Sequence, residues 1–431
     1  MTEQKKRIVL IGGGFAGLNF LKGVANDERF HVTLIDKNNY HYFPPLLYQV
    51  GMAFIELSNI TYPFRRYFQK RQNLRFHFGS VSTVDTKLKA VYVDGNAVYY
   101  DYLIIAFGTE TNYFGMESVQ KNSLALKTIN DALKLRNHLL MNVEKAIHCK
   151  DEVAKKRLLN VVIAGGGPTG VEIAGMLAEM IRKIGRREYP EIPRGTFKIY
   201  LIQSGPVLLN NMSTLAQKEA LHVLSNLGVT IVLNTRVVGY EDGKVLLSNG
   251  ENIATNALLW TTGVIGREVQ GLPAEALGHG RRILVDEFGR VKGVEDVFAL
   301  GDISLNLTDP SYPTGHPQLA QVAIQQGKLL ASNFKREYEG KKWRPFQYND
   351  KGTMAIISKY NAIADLPRTS LKGFTAWFLW LFVHLLPIAG FRNKTNLLFD
   401  WAWSFLTNNP TLRLIIHKED KKANSPEIVK R

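Results

Sequence analysis

The stretch Arg7-Ile8-Val9-Leu10-Ile11-Gly12-Gly13-Gly14-Phe15-Ala16-Gly17 decides the fold. Its apolar run reads as a buried strand, Arg7 to Ile11, and its glycines follow the pattern Gly-x-Gly-x-x-Gly. A helical stretch from Leu18 to about Ala25 comes next, and then a strand from His31 to Ile35 ending in Asp36. Each glycine has a physical task in such a unit. The first makes the tight turn, the second lets the backbone approach a pyrophosphate, and the third lets the helix pack on the strand. The helix N-terminus then offers unpaired N–H groups and its positive dipole end to phosphate. A carboxylate at the end of the second strand can accept bonds from ribose hydroxyls.

The same unit recurs about 150 residues on. A strand predicted from Leu158 to Ala164 leads into Gly165-Gly166-Gly167-Pro168-Thr169-Gly170, a helix from Val171 to about Ile184, and a strand from Thr196 to Ile202. That spacing is too long for a solenoid repeat and suits two similar domains. The second unit ends on Gln203. An amide can still bond a ribose hydroxyl, and it removes a charge that would repel a 2′-phosphate. NADH is therefore expected, with NADPH tolerated. Two dinucleotide sites in one chain point to hydride transfer between a nicotinamide and a flavin, the cofactors supplying the chemistry.

Between the units, Asn38 to Leu57 reads as an irregular aromatic stretch. Hairpin strands are predicted at Val91–Val93 and Ala97–Tyr100, and a buried strand at Tyr102–Ala106. Thr128 to Ala154 reads as one long helix. Beyond the second unit, a helix is predicted at Leu215–Leu227 and strands at Thr230–Leu233, Lys244–Leu247 and Ala257–Trp260. Val297 to Asp302 is a short strand ending in Gly301-Asp302, and Leu319 to Phe334 a helix. From about Phe346 two short strands, an apolar aromatic stretch and a charged end are expected. The fold class is α/β: two Rossmann-like dinucleotide-binding domains in a glutathione-reductase-like arrangement, plus a C-terminal membrane-interface segment. The expected boundaries are 1–113 with 286–345 for the FAD domain, 114–285 for the NAD(P)H domain and 346–431 for the C-terminal region.

Bulk properties narrow the function. The chain has 431 residues and a net charge of +16. The basic excess admits nucleic acid, an anionic membrane face or acidic cofactors, and no nucleic-acid motif accompanies it. Cys149 is the single cysteine, so a redox Cys pair is impossible. That argues against a disulfide reductase and a sulfide:quinone oxidoreductase. A ferredoxin-type reductase and a basic redox-sensing binding protein remain as alternatives. No secretory or transit presequence is read before Ile8, which leads us to expect a bacterial protein that stays on the cytosolic side.

Phe374 to Phe391 is eighteen residues long, near the lower limit for a bilayer span, but it is rich in Trp and interrupted by His384 and Pro387. A second helical candidate carries Leu397, Leu398, Trp401, Phe405 and Leu406 on one face, and Arg368, Lys372, Arg392, Lys394 and Arg413 flank the pair. This is the pattern of an interfacial anchor on an anionic leaflet. A dimer interface or a lid on the core would show the same apolar faces.

The motifs Ile11 to Gly17, Pro45 to Val50, Ala106 to Thr109, Gly165 to Glu172, Ala299 to Asp302, Ala320 to Gln326 and Asp350 to Thr353 together resemble the type II NADH:quinone oxidoreductases, over essentially the whole chain. The resemblance implies non-covalent FAD, oxidation of NADH, reduction of a membrane quinone (menaquinone or ubiquinone) without proton pumping, and a homodimer. It implies that Gly12, Gly14, Gly17, Asp36, Thr109 and Asp302 hold FAD, with Phe15, Ala16, Lys37, Val81, Ala106, Gly108 and Gln321 as further candidates. On the NAD(P)H side it implies Gly167, Gly170 and Glu172, joined by Thr169, Gln203 and Gly263. Glu172 and Lys351 are the catalytic candidates, and the resemblance makes them ionic partners. Gln321, Gln325 and Met354 are the quinone candidates, and no metal ligand is expected. Plainer roles compete: Glu172 also suits a helix start, Gln325 a helix surface, and Lys351 a solvated charge. Two departures stand out. The family commonly has an acid where Gln203 stands, and His316 and Gln318 occupy positions where small or hydroxyl residues are usual.

Overall fold

The computed structural model describes residues 5–407 and 413–416; the charged end and the side chains of Ile184, Phe405 and Leu406 lie outside the described residues. The first fingerprint opens a five-stranded parallel sheet. Its order is Val297–Ala299, Tyr102–Ile105, Lys6–Ile11, Phe30–Asp36 and Leu74–Phe78. Ile8, Leu10, Val32, Leu34, Ile104 and Ile105 are fully buried, as expected of parallel strands covered on both faces. One cover is a helix pair, Phe15–Val24 against Ala320–Tyr338. The helices approach closely because a Cβ at Gly23 would lie 2.4 Å from that of Ala331, and one at Gly327 2.2 Å from the Ala16 carbonyl oxygen. The other face meets a three-stranded antiparallel sheet, Val81–Asp85, Ala90–Val93 and Asn96–Tyr99.

The second fingerprint opens a second five-stranded parallel sheet: Leu124–Ala125, Ala257–Trp260, Asn160–Ala164, Lys198–Ile202 and Thr230–Val232. The helix after it runs from Pro168 to Glu188.

The helix expected over Thr128–Ala154 is two helices. Ile129–His148 is capped by a reciprocal Thr128/Asp131 box. Cys149 is then extended, and Asp151 caps a new helix, Glu152–Leu159, by accepting from the Val153 N–H. Asp at a non-helical position satisfies N–H groups that open a helix, so it restarts one there. The following strand accordingly begins at Asn160 instead of Leu158. The irregular stretch holds a short helix, Leu47–Gly51.

The tail has three strands where two were expected: Thr353–Ser358, Asn361–Leu366 and Thr369–Lys372 form an antiparallel meander. It packs on the second fingerprint's helix. Gly175 permits this approach, since a Cβ there would meet the Ile357 carbonyl oxygen at 1.5 Å. Two helices follow, Gly373–Leu385 and Phe391–Thr407. Ala376, Trp380 and Leu397 point inward, whereas Phe374, Phe378, Phe382, Phe391 and Phe399 are exposed. No helix among the described residues is long and apolar enough to cross a membrane.

Candidate active site

The two glycine turns have the same geometry. Gly12 N–H donates to the Ile35 carbonyl and Gly165 N–H to the Ile202 carbonyl, each at 2.9 Å. Gly12 and Gly165 both adopt left-handed φ values, +98° and +109°, which favour glycine. The third glycine of each motif closes the turn. A Cβ on Gly17 would lie 2.1 Å from the Gly12 oxygen, and one on Gly170 1.9 Å from the Gly165 oxygen. The second glycine is open in both: a Cβ on Gly14 meets nothing nearer than 3.9 Å, and one on Gly167 nothing within 4 Å. Both turns thus leave room for a phosphate over bare backbone.

The residues that end the second strands bind these turns. Asp36 Oδ2 accepts from the Gly13 N–H at 2.7 Å, and Gln203 Oε1 from the Gly166 N–H at 2.9 Å. The equivalence ends there. Asp36 also accepts from the Asn38 N–H, yet a carboxylate retains further lone pairs for a ribose. Gln203 is uncharged and adds two amide N–H donors that Asp36 lacks. Burial raises the Asp36 carboxyl above its ordinary value, opposed by the two backbone N–H bonds.

A cavity of about 560 Å³ opens above the first turn, within the range of about 300–1,000 Å³ usual for ligand sites. It brings together Gly12, Gly14, Phe15, Ala16, Asp36 and Lys37 with Val81, Ala106, Gly108, Thr109 and Asp302. Gly17 lies beneath, closing the turn. Gln321 is not among the lining residues. The open glycine, the terminal acid and a cationic rim fit the FAD that the motif implies.

The wall also contains residues that motif reading missed. His41 is buried, and its Nδ1 is 2.9 Å from the Gly13 carbonyl oxygen, to which the ring N–H donates. Burial holds its pKa down at about 4, with that bond opposing. Lys127 Nζ donates to Thr109 Oγ1 at 2.9 Å. Arg267 lines the cavity with its Nε buried and without a hydrogen-bond partner among the described residues. Behind the wall, buried Gln326 Oε1 accepts from the Gly301 N–H at 2.6 Å and so fixes the Gly301-Asp302 turn that lines it. The adjacent Gln325-Gln326 pair was the available signal, but periodicity cannot say which of two neighbours faces inward.

Gln321 and Gln325 do face one side of their helix, but their amides are engaged with main chain. Gln321 donates to the Gly352 carbonyl and accepts from the Lys351 N–H, each at 3.1 Å. Gln325 does the same with Asn349 O and N, at 2.9 and 3.0 Å. The two conspicuous motifs are thereby joined: the glutamine helix holds the segment 349–352 in place.

Glu172 is buried on the second turn of the second fingerprint's helix, where Oε1 accepts from the Ile356 N–H at 3.4 Å. Burial raises its carboxyl well above the ordinary value, opposed by that bond, and so favours the protonated form. The expected Glu172–Lys351 ion pair is absent among the described residues. Lys351 is exposed and contributes its backbone N–H to Gln321. Desolvation explains the separation: pairing would cost the stripping of water from an ammonium, whereas a buried carboxyl can keep its proton. Tyr48 is a buried neighbour, its phenol raised by burial and then by Glu172. Gln49 donates to the Tyr48 hydroxyl, and Trp401 of the last helix donates to Gln49 Oε1 at 2.9 Å. Further bonds join Asn59 to Asp400 and Asn393 to the Thr61 carbonyl. Met354 lies on the first tail strand, partly buried against the same core. Gly263 is in the loop after Ala257–Trp260, its φ +73° and its carbonyl accepting from Asn112 N–H. Thr169 is half-buried behind the open glycine of its turn.

Two coupled dinucleotide turns and a cavity over the first define an α/β oxidoreductase of the two-dinucleotide-fold class. The family model described as pyridine nucleotide-disulphide oxidoreductase matches residues 6–327, and an NDH2 C-terminal domain model matches residues 351–408. The chain belongs to the type II NADH:quinone oxidoreductases: it is 31% identical to the Mycobacterium tuberculosis type II NADH:quinone oxidoreductase Ndh, over 94% of this chain and 89% of that one. A Staphylococcus saprophyticus type II NADH:quinone oxidoreductase is 27% identical over 88% of this chain and 94% of its own. The fold matches that of Plasmodium falciparum NDH2, solved in complex with NADH, with a TM-score of 0.86, 23% identity, and coverage of 96% of this chain and 100% of that one.

Proposed function

We propose that this chain is a flavoenzyme that oxidises NADH and reduces a quinone without pumping protons. The observation that carries the reading is the paired turn geometry, with the tail meander packed on the second turn's helix. FAD fits the first cavity, its pyrophosphate over Gly14 and its adenosine ribose at Asp36; NADH fits the second turn, with its pyrophosphate over Gly167. When held there, FAD would supply the redox chemistry, two-electron reduction by NADH and reoxidation by a quinone. Gln203 offers donors where an acid would repel a 2′-phosphate, so NADPH is tolerated as well. Glu172 stores a proton at its carboxyl beside Tyr48, available when quinone becomes quinol. Because Gln321 and Gln325 hold the 349–352 segment, they position the quinone side of the site through the main chain.

The units are divided at 1–113 with 286–345, 114–285 and 346–431. The exposed Phe374, Phe378, Phe382, Phe391 and Phe399 suit insertion of the tail helices into a headgroup region. The enzyme then lies peripherally on an anionic membrane, on the cytoplasmic side in a bacterium, as a homodimer. Stopped-flow absorbance tests the activity. The flavin should bleach on NADH and recover on a short-chain quinone; bleaching without quinone-dependent recovery would refute the quinone assignment.

A further inference from the structure

The sheet order sets the direction in which a dinucleotide crosses the first cavity. Asp36 ends the strand on one side of Lys6–Ile11. Thr109 and Asp302 follow the two strands on the other side. Strands are about 4.8 Å apart, and the Asp36 strand lies two spacings from the strand before Thr109 and three from the strand before Asp302. With adenosine at Asp36 and pyrophosphate over the central turn, the ribityl and ring half of FAD must lie toward Thr109 and Asp302.

Lys127 enters at that end. It precedes the helix Ile129–His148 and comes from outside the first parallel sheet. It lines the cavity, and Nζ donates to Thr109 Oγ1, whose hydroxyl is in turn 3.5 Å from Asp302 Oδ2. No ion pair engages it among the described residues. An ammonium has three N–H donors, and its single acceptor among the described residues, Thr109 Oγ1, leaves two to spare. The other cations of the wall are placed differently. Arg281 is paired with Glu110 at 2.7 Å. Arg267 lines the same cavity and acts electrostatically on both Asp36 and Lys127, so it is not confined to the Thr109 end. Lys37 follows Asp36 at the adenosine end. Burial lowers the Lys127 pKa and Asp302 opposes this; the ammonium is an incompletely satisfied cation in a cavity wall.

We propose that Lys127 binds the flavin half of FAD and raises its electron affinity, through a positive charge facing the site where the bound flavin takes up negative charge on reduction. The inference rests on FAD occupying this cavity. A unit charge several ångströms away at an effective dielectric of about 20 changes such an equilibrium by about tenfold or more.

The test uses the purified holoenzyme. Wild type, Lys127→Met, Lys127→Gln and Lys127→Arg are each equilibrated with a mediator dye of known potential, and the flavin and dye spectra are read together. The reduced-to-oxidised flavin ratio at a fixed dye ratio should fall about tenfold or more in the Met and Gln variants and return to within threefold of wild type in the Arg variant. A lysine needed merely for packing would not move the potential in both neutral variants and restore it with arginine. If either neutral variant, carrying FAD, keeps the wild-type ratio, the role of Lys127 is refuted. If wild-type protein carries no FAD, the cofactor reading beneath it fails instead.

Discussion

Acidification should loosen the first cavity through His41. The ring is buried, and its N–H bond to the Gly13 carbonyl steadies the turn. Its pKa is held at about 4 in the folded protein against 6.5 for an unperturbed histidine. The unfolded chain therefore binds the proton more readily, and stability falls as pH drops from 6.5 toward about 4. With these two values, linkage gives a loss of about 2.4 kcal/mol between pH 7 and pH 4.5. His41→Asn removes the titration while keeping a donor within reach of Gly13. Urea titrations followed by flavin release, which reads the opening of this cavity, would compare the two proteins at both pH values. Other groups titrate in this range too, but they are common to both proteins. The wild type should lose about 2 kcal/mol more than the variant on acidification. Parallel pH dependences in the two would refute the buried, neutral histidine.

Glu172→Gln replaces a buried acid, whose protonated form burial favours, by its near-isostere, so stability should change by less than about 1.5 kcal/mol while quinone-dependent flavin recovery slows at least tenfold; thermal melts and stopped-flow absorbance check the two halves. Gln203→Glu should raise the NADPH KM at least tenfold with little change for NADH, because the new carboxylate repels a 2′-phosphate; an unchanged NADH/NADPH ratio of kcat/KM would show that position 203 does not read the ribose. Phe378→Asp with Phe382→Asp should release the protein from anionic vesicles in flotation, while NADH still bleaches the flavin in solution; a variant that still floats would place the anchor elsewhere.

Much was legible in the sequence because its physical demands are local. A left-handed φ at Gly12, the contact of Gly17 with its own turn and an acid at the end of the next strand are all met within a single βαβ unit, so the spacing of the residues suffices to announce them. The same holds for the second unit, whereas the tail helix does not keep its expected single face: Leu397 is buried and Leu398 exposed. The long helix after Thr128 was misread because apolar periodicity runs on through Cys149, while the Asp151 cap that restarts the helix is a single-residue signal. The third tail strand, Thr369–Lys372, was missed for a related reason: four residues carry too little alternation to be read, and the strand exists because Asn361–Leu366 offers it an edge.

The sequence by itself determined that two dinucleotide turns exist, and that the first ends in a carboxylate and the second in an amide. Tertiary structure alone decided what the remaining polar groups do. Lys351 is exposed while Glu172 is buried, and no ion pair joins them among the described residues. Gln321 and Gln325 hold a backbone segment, because the meander brings residues 349–352 onto their helix. His41, Lys127 and Arg267 enter the first cavity from segments far apart in the chain. Such roles depend on which distant atoms meet and how much water is excluded between them, and neither quantity is encoded in the spacing of residues along one strand or helix.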